Sequence, residues 1–531
     1  MIINIEQGAV QGQYHKTRLA NKPFVSFLGI PFAKPPVGEL RFRPPVKHPG
    51  WTGVYKALSK KKICPQLDVS AMKKIFGDED CLYLNIFVPQ EINEKKPIMI
   101  FVHGGGFNFD SGSLNFYSPD YLIEENVILV TFNYRLNVLG FLNLDIEDCP
   151  GNMGLKDQLL AFKWVKENIA AFGGDANNIT VFGVSAGSVS IHYHILSPLS
   201  KGVFQRAIMQ SGCAFNPWVM NLKHKNSALK FAADLGCPSD DPHEIVQYLR
   251  RIPVNDLVMA TKIESINQEF LFYQFIPTIE SDQVSERLIP AHPEELSKTA
   301  TSIPLISGVT DLEGMILFGD HRMGKLIPFR KVEEFIDFFK GDVKSDEVKK
   351  RIRSFYFNGH DFKTDIENLK SICTLAGDFF FTKDFHKGFV HLLEKGNTPV
   401  YNYEFKIDGE INLCKRNYFS KKPNFLKLKG ACHADELSYL FLGHLFALMP
   451  KPNSRELSMS RTICKLWTNF AKTGNPNSSD LKFKWDCSSL GNPKYLSIDG
   501  DDTHMVEGEL NGARVKFWKD IAELVKLNQK L

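Results

Sequence analysis

The sequence lacks three features that would place the chain in a membrane or in the secretory pathway. No apolar run reaches the roughly 18 residues that a membrane-spanning helix needs. The amino terminus, MIINIEQGAVQGQY, reads as a strand and a turn, without the basic region and apolar core of a signal peptide. The carboxy-terminal KLNQKL matches no retention or lipidation signal. We therefore expect no membrane span and a cytoplasmic location.

Cysteine and basic charge are both too sparse to define the class of protein. Ten cysteines in 531 residues do not make a disulfide scaffold. The net charge is only +4, and the basic run 60–62 is typical of a solvated surface, so no nucleic-acid partner is expected. There is no internal repeat and no low-complexity linker. With 43% hydrophobic residues the composition is that of a globular protein, and we predict one domain over residues 1–531.

What the sequence does contain is an alternation of apolar strands and helical segments. A stripe that includes Leu155 and Phe162 predicts a helix over 154–174. Continuous apolar and β-branched runs predict strands over 97–103, 127–135, 178–184, 303–309 and 399–405. This alternation predicts an α/β fold, with a mainly parallel central sheet and helices on both faces. The helix-rich regions at about 220–300 and 320–395 are predicted to be helical insertions over the C-terminal edge of the sheet.

Ser185 lies between Gly183 and Gly187, where the strand over 178–184 gives way to a helix predicted to start near Ala186. Glycine on both sides permits a sharp turn that projects the serine hydroxyl from the end of the sheet. A serine hydroxyl is a poor nucleophile near neutral pH unless a base takes its proton and donors hold the oxyanion. The strand–turn–helix context predicts a nucleophile here, rather than a small residue in a tight corner.

The stretch HGGGF, residues 103–107, follows directly on the strand over 97–103 and is the candidate for the oxyanion donors. Successive glycines let the backbone approach a substrate closely while its N–H groups stay free. A loop of this type supplies donors together with the amide that follows the nucleophile. The predicted donors are therefore Gly105, Gly106 and Ala186.

A base and an acid must follow downstream, in the order serine, acid, histidine. His433 is the candidate base, because KGACHADELSYLF places small residues before it and a helix-like segment after it. The stretch GVTDLEGMILF places Asp311 and Glu313 at the carboxyl end of a strand, where sites of α/β proteins form. Spacing does not separate the two carboxylates; Glu313 is preferred and Asp311 is the alternative.

The whole set of motifs resembles the type-B carboxylesterases of the cholinesterase and carboxylesterase family, which have the α/β-hydrolase fold. The likeness runs from about residue 5 to residue 520 and follows the family order. It is carried by GIPFAKPPVGELRF, EDCLYLNIFVP, HGGGF, NYRLNVLGFL, FGGDANNITVFGVSAG, HADELSYLF and TGNP. Among subgroups, the CHADELSYLF block and the absent leader are most similar to the insect intracellular α-esterases.

The resemblance assigns a role to each member of the predicted site. The implied catalytic triad and oxyanion donors are Ser185, Glu313, His433, Gly105, Gly106 and Ala186. The family acid is usually glutamate, which favours Glu313 over Asp311. Ser211, in MQSG, matches a serine that supports the triad from behind, and Trp218 matches an aromatic residue of the acyl pocket.

The resemblance also implies one disulfide pair, and two positions of this sequence depart from the family pattern. Cys64 and Cys81 match the first family disulfide, which a reducing cytosol would leave as two thiols. No tryptophan stands between them, where cholinesterases carry the ring that holds a quaternary ammonium group. Val184 stands where the family often has a glutamate. Both departures argue against choline esters.

The predicted reaction is hydrolysis of hydrophobic carboxylic esters, including xenobiotic and insecticide esters, through a serine acyl-enzyme. This chemistry requires no metal and no organic cofactor. Organophosphates and carbamates are expected to act as inhibitors at the nucleophile. The alternatives are a specialised esterase for a hormone, pheromone or lipid ester, and a slow-turnover protein that sequesters organophosphates.

Overall fold

The computed structural model describes residues 1–68, 74–90, 94–261, 263–266, 270–319, 346–359, 366–396, 398–443 and 450–529. Strands β1 to β20 are Ile2–Ile5, Gly8–Gln11, Gln13–Lys16, Pro23–Pro31, Val54–Lys56, Gln66–Leu67, Ile75–Phe76, Tyr83–Pro89, Lys96–Val102, Ile128–Phe132, Asn143–Ile146, Cys149–Pro150, Gly174–Val184, Arg206–Gln210, Ile263–Ile266, Phe270–Tyr273, Leu305–Thr310, Val400–Phe405, Lys494–Ile498 and His504–Glu507.

Helices α1 to α15 are Asp120–Ile123, Asn137–Phe141, Met153–Asn168, Ala186–Leu196, His224–Asp234, Pro242–Arg251, Val254–Ala260, Pro293–Thr299, Asp346–Phe357, Ile366–Gly377, Lys387–Lys395, Leu413–Tyr418, Pro423–Leu426, Arg455–Thr473 and Gly512–Gln529. Two short 3-10 helices matter for the site, Glu313–Phe318 after β17 and Asp435–Tyr439 after the segment that carries His433.

Eleven strands form the central sheet, in the order β20-β19-β18-β17-β14-β13-β9-β10-β8-β4-β3. The inner strands from β19 to β10 pair in parallel, and the antiparallel pairs lie at the two edges. Parallel strands end at the same edge of a sheet, so the segments that follow β9, β13, β14 and β17 are brought side by side.

The apolar runs of the inner strands are explained by burial on both faces. In β9, Ile98, Ile100 and Val102 belong to one apolar core and Met99 and Phe101 to another, because successive side chains of a strand point to opposite faces. Helices α3 and α4 cover the first face, and α14 covers the second. The predicted α/β architecture, mostly parallel with helices on both faces, is confirmed.

The helical insertions pack beside the carboxyl edge of the sheet. A third apolar cluster joins α9, α10 and the end of α15 to Leu312 and Cys432, which directly precede Glu313 and His433 in sequence. The region predicted to be helix-rich near 220–300 also contains the antiparallel hairpin of β15 and β16. Of the region predicted over 320–395, residues 320–345 and 360–365 lie outside the described residues.

Among the helices that the structure describes, none has the combination of length and apolar character that a bilayer crossing demands.

Candidate active site

Ser185 occupies the turn between β13 and α4, with φ of 56° and ψ of −126°. Its backbone N–H donates to the Gln210 carbonyl at 2.8 Å, which fixes the turn to the end of β14. At Gly187 an added Cβ would lie 2.1 Å from the Val102 carbonyl oxygen, so only glycine lets α4 begin this close to β9. The two glycines predicted to flank the serine are therefore needed for the close approach, and Ser185 keeps part of its surface accessible.

The HGGGF loop follows β9 and lies against the same turn. Gly105 has φ of 93°, and a Cβ there would lie 2.0 Å from the Phe109 carbonyl oxygen. Gly106 has φ of 58° and lies under the Tyr273 ring. Neither glycine amide has an acceptor within the part of the chain that the structure describes, and the Ala186 amide is at the open end of α4. Three donors can thus face one oxyanion.

Glu313 and His433 form the central hydrogen bond of the site. The Nδ1–H of His433 donates to Glu313 Oε2 at 2.5 Å, across 120 residues of sequence. Glu313 Oε1 accepts the Thr310 N–H at 2.7 Å, which orients the carboxylate at the end of β17. With Nδ1 as the donor, Nε2 carries the lone pair of the imidazole. His433 is therefore held in the tautomer that a general base needs.

Asp311, the alternative acid, has a different partner. Its Oδ1 accepts the Ala431 N–H at 2.7 Å, so it fastens the chain just before His433 and does not bond the imidazole. Burial raises the pKa of the Asp311 carboxyl to about 7. The geometry thus separates two carboxylates that sequence spacing left unresolved.

The pH dependence of stability tests this assignment. The pKa of Asp311 is raised in the folded chain, so between about pH 4 and 7 the folded state holds a proton that the unfolded state has lost. The free energy of unfolding therefore falls as pH rises through this window. Asp311→Asn keeps the acceptor for Ala431 but cannot ionise, and it should gain about 2–3 kcal/mol relative to the wild type between pH 5 and pH 8. Urea unfolding at both pH values measures the gain; an equal difference at both would contradict it.

A hydrogen-bonded chain joins the nucleophile turn to the histidine segment. Gln210, whose carbonyl holds the Ser185 amide, donates through its side chain to Glu436 Oε1 at 3.3 Å. Glu436 follows His433 in the 3-10 helix and is fully buried. Burial and the neighbouring Glu313 carboxylate raise the pKa of Glu436 to about 8. Glu436 is thus mostly neutral near pH 7.

Asp435, next to Glu436 in sequence, fixes the segment that carries His433 by bonding backbone amides. Its carboxylate accepts the Cys432 N–H at 2.8 Å and the Lys415 N–H at 3.1 Å. Asp435 and Glu436 are thus both buried, and each has a specific hydrogen-bond partner.

The resemblance places Ser211 behind the triad and Trp218 in the acyl pocket. Ser211 is fully buried, and its hydroxyl has no hydrogen-bond partner among the described residues. Trp218 packs on Phe381 at 5.8 Å between ring centroids, and Phe381 packs on the His433 imidazole at 4.6 Å. Trp218 thus reaches the histidine through Phe381.

The other histidines near the nucleophile are not bases for it. His103, in the HGGGF loop, stacks on Tyr134 at 4.2 Å, and burial lowers its pKa to about 3. On α4, His192 Nδ1 accepts the Ala214 N–H at 3.0 Å, and His194 contacts Ser200 Oγ at 2.8 Å. His103 thus packs on a ring, His192 holds a backbone amide, and His194 bonds the side chains of Ser200 and Gln158.

Cys64 and Cys81 form a disulfide, which closes the segment that contains β6 and β7. Among the described residues, no group of three or more histidine, cysteine, aspartate or glutamate side chains is arranged to hold a metal ion.

Three contributors to the site were not singled out from the sequence: Gln210, Phe381 and the buried acid Glu436. Gln210 adjoins Ser211 in the same MQSG stretch, so its position at a strand end was a usable signal. Phe381 is one of three successive phenylalanines in 379–381, and nothing local distinguishes the ring that faces His433.

Comparison with known proteins identifies the family to which the chain is similar. A family model described as the carboxylesterase family matches residues 1–518. The chain is 33% identical to juvenile hormone esterase of Tribolium castaneum, over 97% of this chain and 90% of the relative. It is 32% identical to esterase E4 of Myzus persicae, over 90% of this chain and 87% of the relative.

The fold is also similar to a crystal structure of juvenile hormone esterase from Manduca sexta, solved with OTFP covalently attached. The TM-score is 0.84 at 29% sequence identity, and the match covers 98% of this chain and 99% of that one.

Proposed function

Because the chain belongs to the carboxylesterase family and is a carboxylic ester hydrolase, we propose that it cleaves hydrophobic esters through an acyl-enzyme on Ser185. The hydroxyl of Ser185 attacks the ester carbonyl while Nε2 of His433 takes its proton. Glu313 holds the imidazole through Nδ1 and stabilises the imidazolium that forms. The single observation that carries the proposal is this 2.5 Å hydrogen bond, beside a loop whose amides are open.

The negative charge that develops on the carbonyl oxygen is held by the amides of Gly105, Gly106 and Ala186. These donors are fixed before substrate arrives, since the loop and the start of α4 are set by close backbone contacts. The imidazolium of His433 then gives its proton to the leaving alcohol. A water activated by His433 releases the acid and restores Ser185.

The proposed substrates are esters with apolar acyl groups, xenobiotic and insecticide esters included. Aromatic rings next to His433, those of Phe381 and Trp218, support an apolar acyl site. The resemblance to the insect intracellular α-esterases supports a detoxifying role, and the relative named esterase E4 supports ester hydrolysis. Organophosphates and carbamates would modify Ser185 and leave slowly, because the site is shaped for a planar acyl carbonyl.

A specialised esterase is the second candidate, supported by the relatives named juvenile hormone esterase. Such an enzyme would have a kcat/KM for one natural ester far above its kcat/KM for any member of a series of simple esters. A slow-turnover sequestering protein would instead show a stoichiometric burst and little steady-state release.

A cytoplasmic location is also a proposal, and the Cys64–Cys81 disulfide is an observation against it, because disulfides persist in oxidising compartments. Thiol labelling of protein taken from its native cells tests the location. Labelled Cys64 and Cys81 would support the cytoplasm, and unlabelled ones would support an oxidising compartment.

The acyl preference is tested with p-nitrophenyl acetate, propionate, butyrate and hexanoate. Each methylene buried in an apolar site is worth about 0.8 kcal/mol, so kcat/KM should rise about tenfold from acetate to butyrate. Matched esters whose acyl chain ends in a carboxylate serve as the control and should lose this gain. A flat or falling series would argue against an apolar acyl site.

A further inference from the structure

Phe381 lies in a helical turn of uncommon geometry beside the Glu313–His433 pair. Residues Asp378–Thr382 form a π-helical turn that directly follows α10, and the Lys383 N–H donates to the Asp378 carbonyl, five residues back, at 2.8 Å. Single π turns are rare in proteins and occur often at functional sites. The turn is therefore a place to look for a residue that acts on the reaction.

The end of α10 contacts the acid of the pair directly. A Cβ on Gly377 would lie 3.3 Å from the Glu313 Cβ, and a Cβ on Gly314 would lie 2.2 Å from the Gly377 nitrogen. Two facing glycines thus bring the helix end against the backbone that carries the acid. Phe381 follows Gly377 by four residues, about one helical turn, and contacts the base.

The Phe381 ring lies against one face of the His433 imidazole. The two ring centroids are 4.6 Å apart, and the ring planes are inclined by 36°. Contact through the face leaves both imidazole nitrogens, which bond in the plane of the ring, available to Glu313 and to the nucleophile. Phe381 and His433 are each only 6% exposed, so solvent screens the contact weakly.

Three contacts with the segment after β14 hold Phe381 in this position. The Phe381 carbonyl accepts the Asn216 side-chain N–H at 3.0 Å, and the Phe380 carbonyl accepts the Trp218 indole N–H at 2.9 Å. The Trp218 ring also packs on the Phe381 ring, at 5.8 Å between centroids. The fold itself therefore sets the position of the ring over the imidazole.

An aromatic face attracts a cation, because its π electrons make the face negative. His433 becomes a cation when it takes the proton of Ser185, so the attraction is stronger in the transition state than in the ground state. Burial strengthens this attraction. Phe381 can thus stabilise the imidazolium across its face, while Glu313 stabilises it in its plane.

We propose, building on the proposed ester hydrolysis, that Phe381 is a positioning residue whose ring face stabilises the imidazolium of His433. The proton moves from the Ser185 hydroxyl to Nε2 and then to the leaving alcohol, and Phe381 forms no bond in either step. This role differs from lining the acyl site, because it affects every ester alike.

The ionisable groups around the imidazole stay in place when Phe381 is replaced. Those that bond His433, adjoin it in sequence or lie in or beside the π turn are Glu313, Cys432, Asp435, Glu436, Asp378, Lys383 and Asp384. A difference in pH dependence between variants of Phe381 and the wild type therefore reports the ring.

The test is the pH profile of kcat/KM, which reports the ionisation of the base in the free enzyme. The substrates are p-nitrophenyl acetate and butyrate, and the acid midpoint is the pH at which kcat/KM reaches half its plateau. Phe381→Leu removes the ring and keeps an apolar side chain, whereas Phe381→Tyr keeps the ring. Incorporation of 3,5-difluorophenylalanine at position 381 keeps the shape and makes the ring face less negative.

In Phe381→Leu the acid midpoint should move to lower pH by about 0.5–1 pH unit, because the cation loses a stabilising contact. The plateau kcat should fall by about three- to tenfold for the same reason. The difluoro protein should change in the same directions by smaller amounts, and Phe381→Tyr should match the wild type. The shift should be equal for the two esters, because it belongs to the free enzyme.

Phe379→Leu is the matched control. Phe379 lies in the same π turn, but its ring packs on Trp518 of α15 at 5.4 Å between centroids. The acid midpoint and the plateau kcat of this variant should equal those of the wild type, although its thermal unfolding midpoint should fall.

An unchanged acid midpoint in the difluoro protein and in Phe381→Leu would overturn the inference, and the difluoro protein decides alone if Phe381→Leu does not fold. A change confined to the butyrate ester would also overturn it, since Phe381 would then only line the acyl site. If the wild type cleaves neither ester, the proposed function itself fails. If it cleaves both and the midpoint does not move, this inference alone fails.

Discussion

Replacing Ser185 with alanine should lower kcat against p-nitrophenyl butyrate by about ten-thousand-fold or more. The variant loses the atom that forms the acyl-enzyme, while the oxyanion amides and the apolar walls remain, so only the residual catalysis of binding and oxyanion donors survives. Because Ser185→Ala removes one hydroxyl and leaves the Gln210 contact of the backbone intact, the variant should fold.

Two measurements separate this result from a folding defect. The thermal unfolding midpoint should change by no more than a few degrees. Labelling by an organophosphate, followed by mass spectrometry, should modify the Ser185 peptide in the wild type and nothing in the variant. Residual activity above about one per cent of the wild type would mean that another group attacks the ester.

Replacing Glu313 with glutamine should lower kcat by about a thousand- to ten-thousand-fold, with little change in KM. The glutamine amide would present a donor or a neutral acceptor to Nδ1, so the imidazole would lose the fixed tautomer and the stabilised cation. Glu313 is buried and bonds His433, so it does not reach the bound ester. Its replacement should therefore destabilise the transition state and leave the binding of the ester, and with it KM, almost unchanged. Single-turnover kinetics of the acyl-transfer step measure it.

Glu280→Gln is the matched control for removing a buried glutamate charge. Glu280 is equally buried, pairs with Lys156 and accepts the amides of Leu288 and Ile289. Its variant should unfold more easily yet keep the kcat of the folded protein. If Glu280→Gln and Glu313→Gln lost activity in parallel, loss of a buried charge and not of the triad would be the cause.

The elements with a local cause were predictable from the sequence. Continuous apolar runs predicted the bounds of β9, β10 and β18 to within a few residues. A strand that is buried on both faces has no alternation of polar and apolar residues. Gly105 also has a local cause, because a Cβ there would meet the Phe109 carbonyl of the same loop. Gly187 instead approaches the Val102 carbonyl of β9, a contact that only the fold creates. The hairpin of β15 and β16 was missed, since short apolar runs fit a strand and a helix equally well.

The sequence by itself determined the family likeness, the α/β layout, the position of Ser185 in its turn and the glycine loop beside it. Only the tertiary structure shows that Glu313 bonds His433 and Asp311 bonds the Ala431 amide, because both acids follow the same strand and their partners lie about 120 residues away. It also decided that Glu436 is a buried acid, whose pKa is raised to about 8 by burial and by the neighbouring Glu313 carboxylate. Charge state and partner are set by burial and by neighbours from distant segments, and local sequence carries neither.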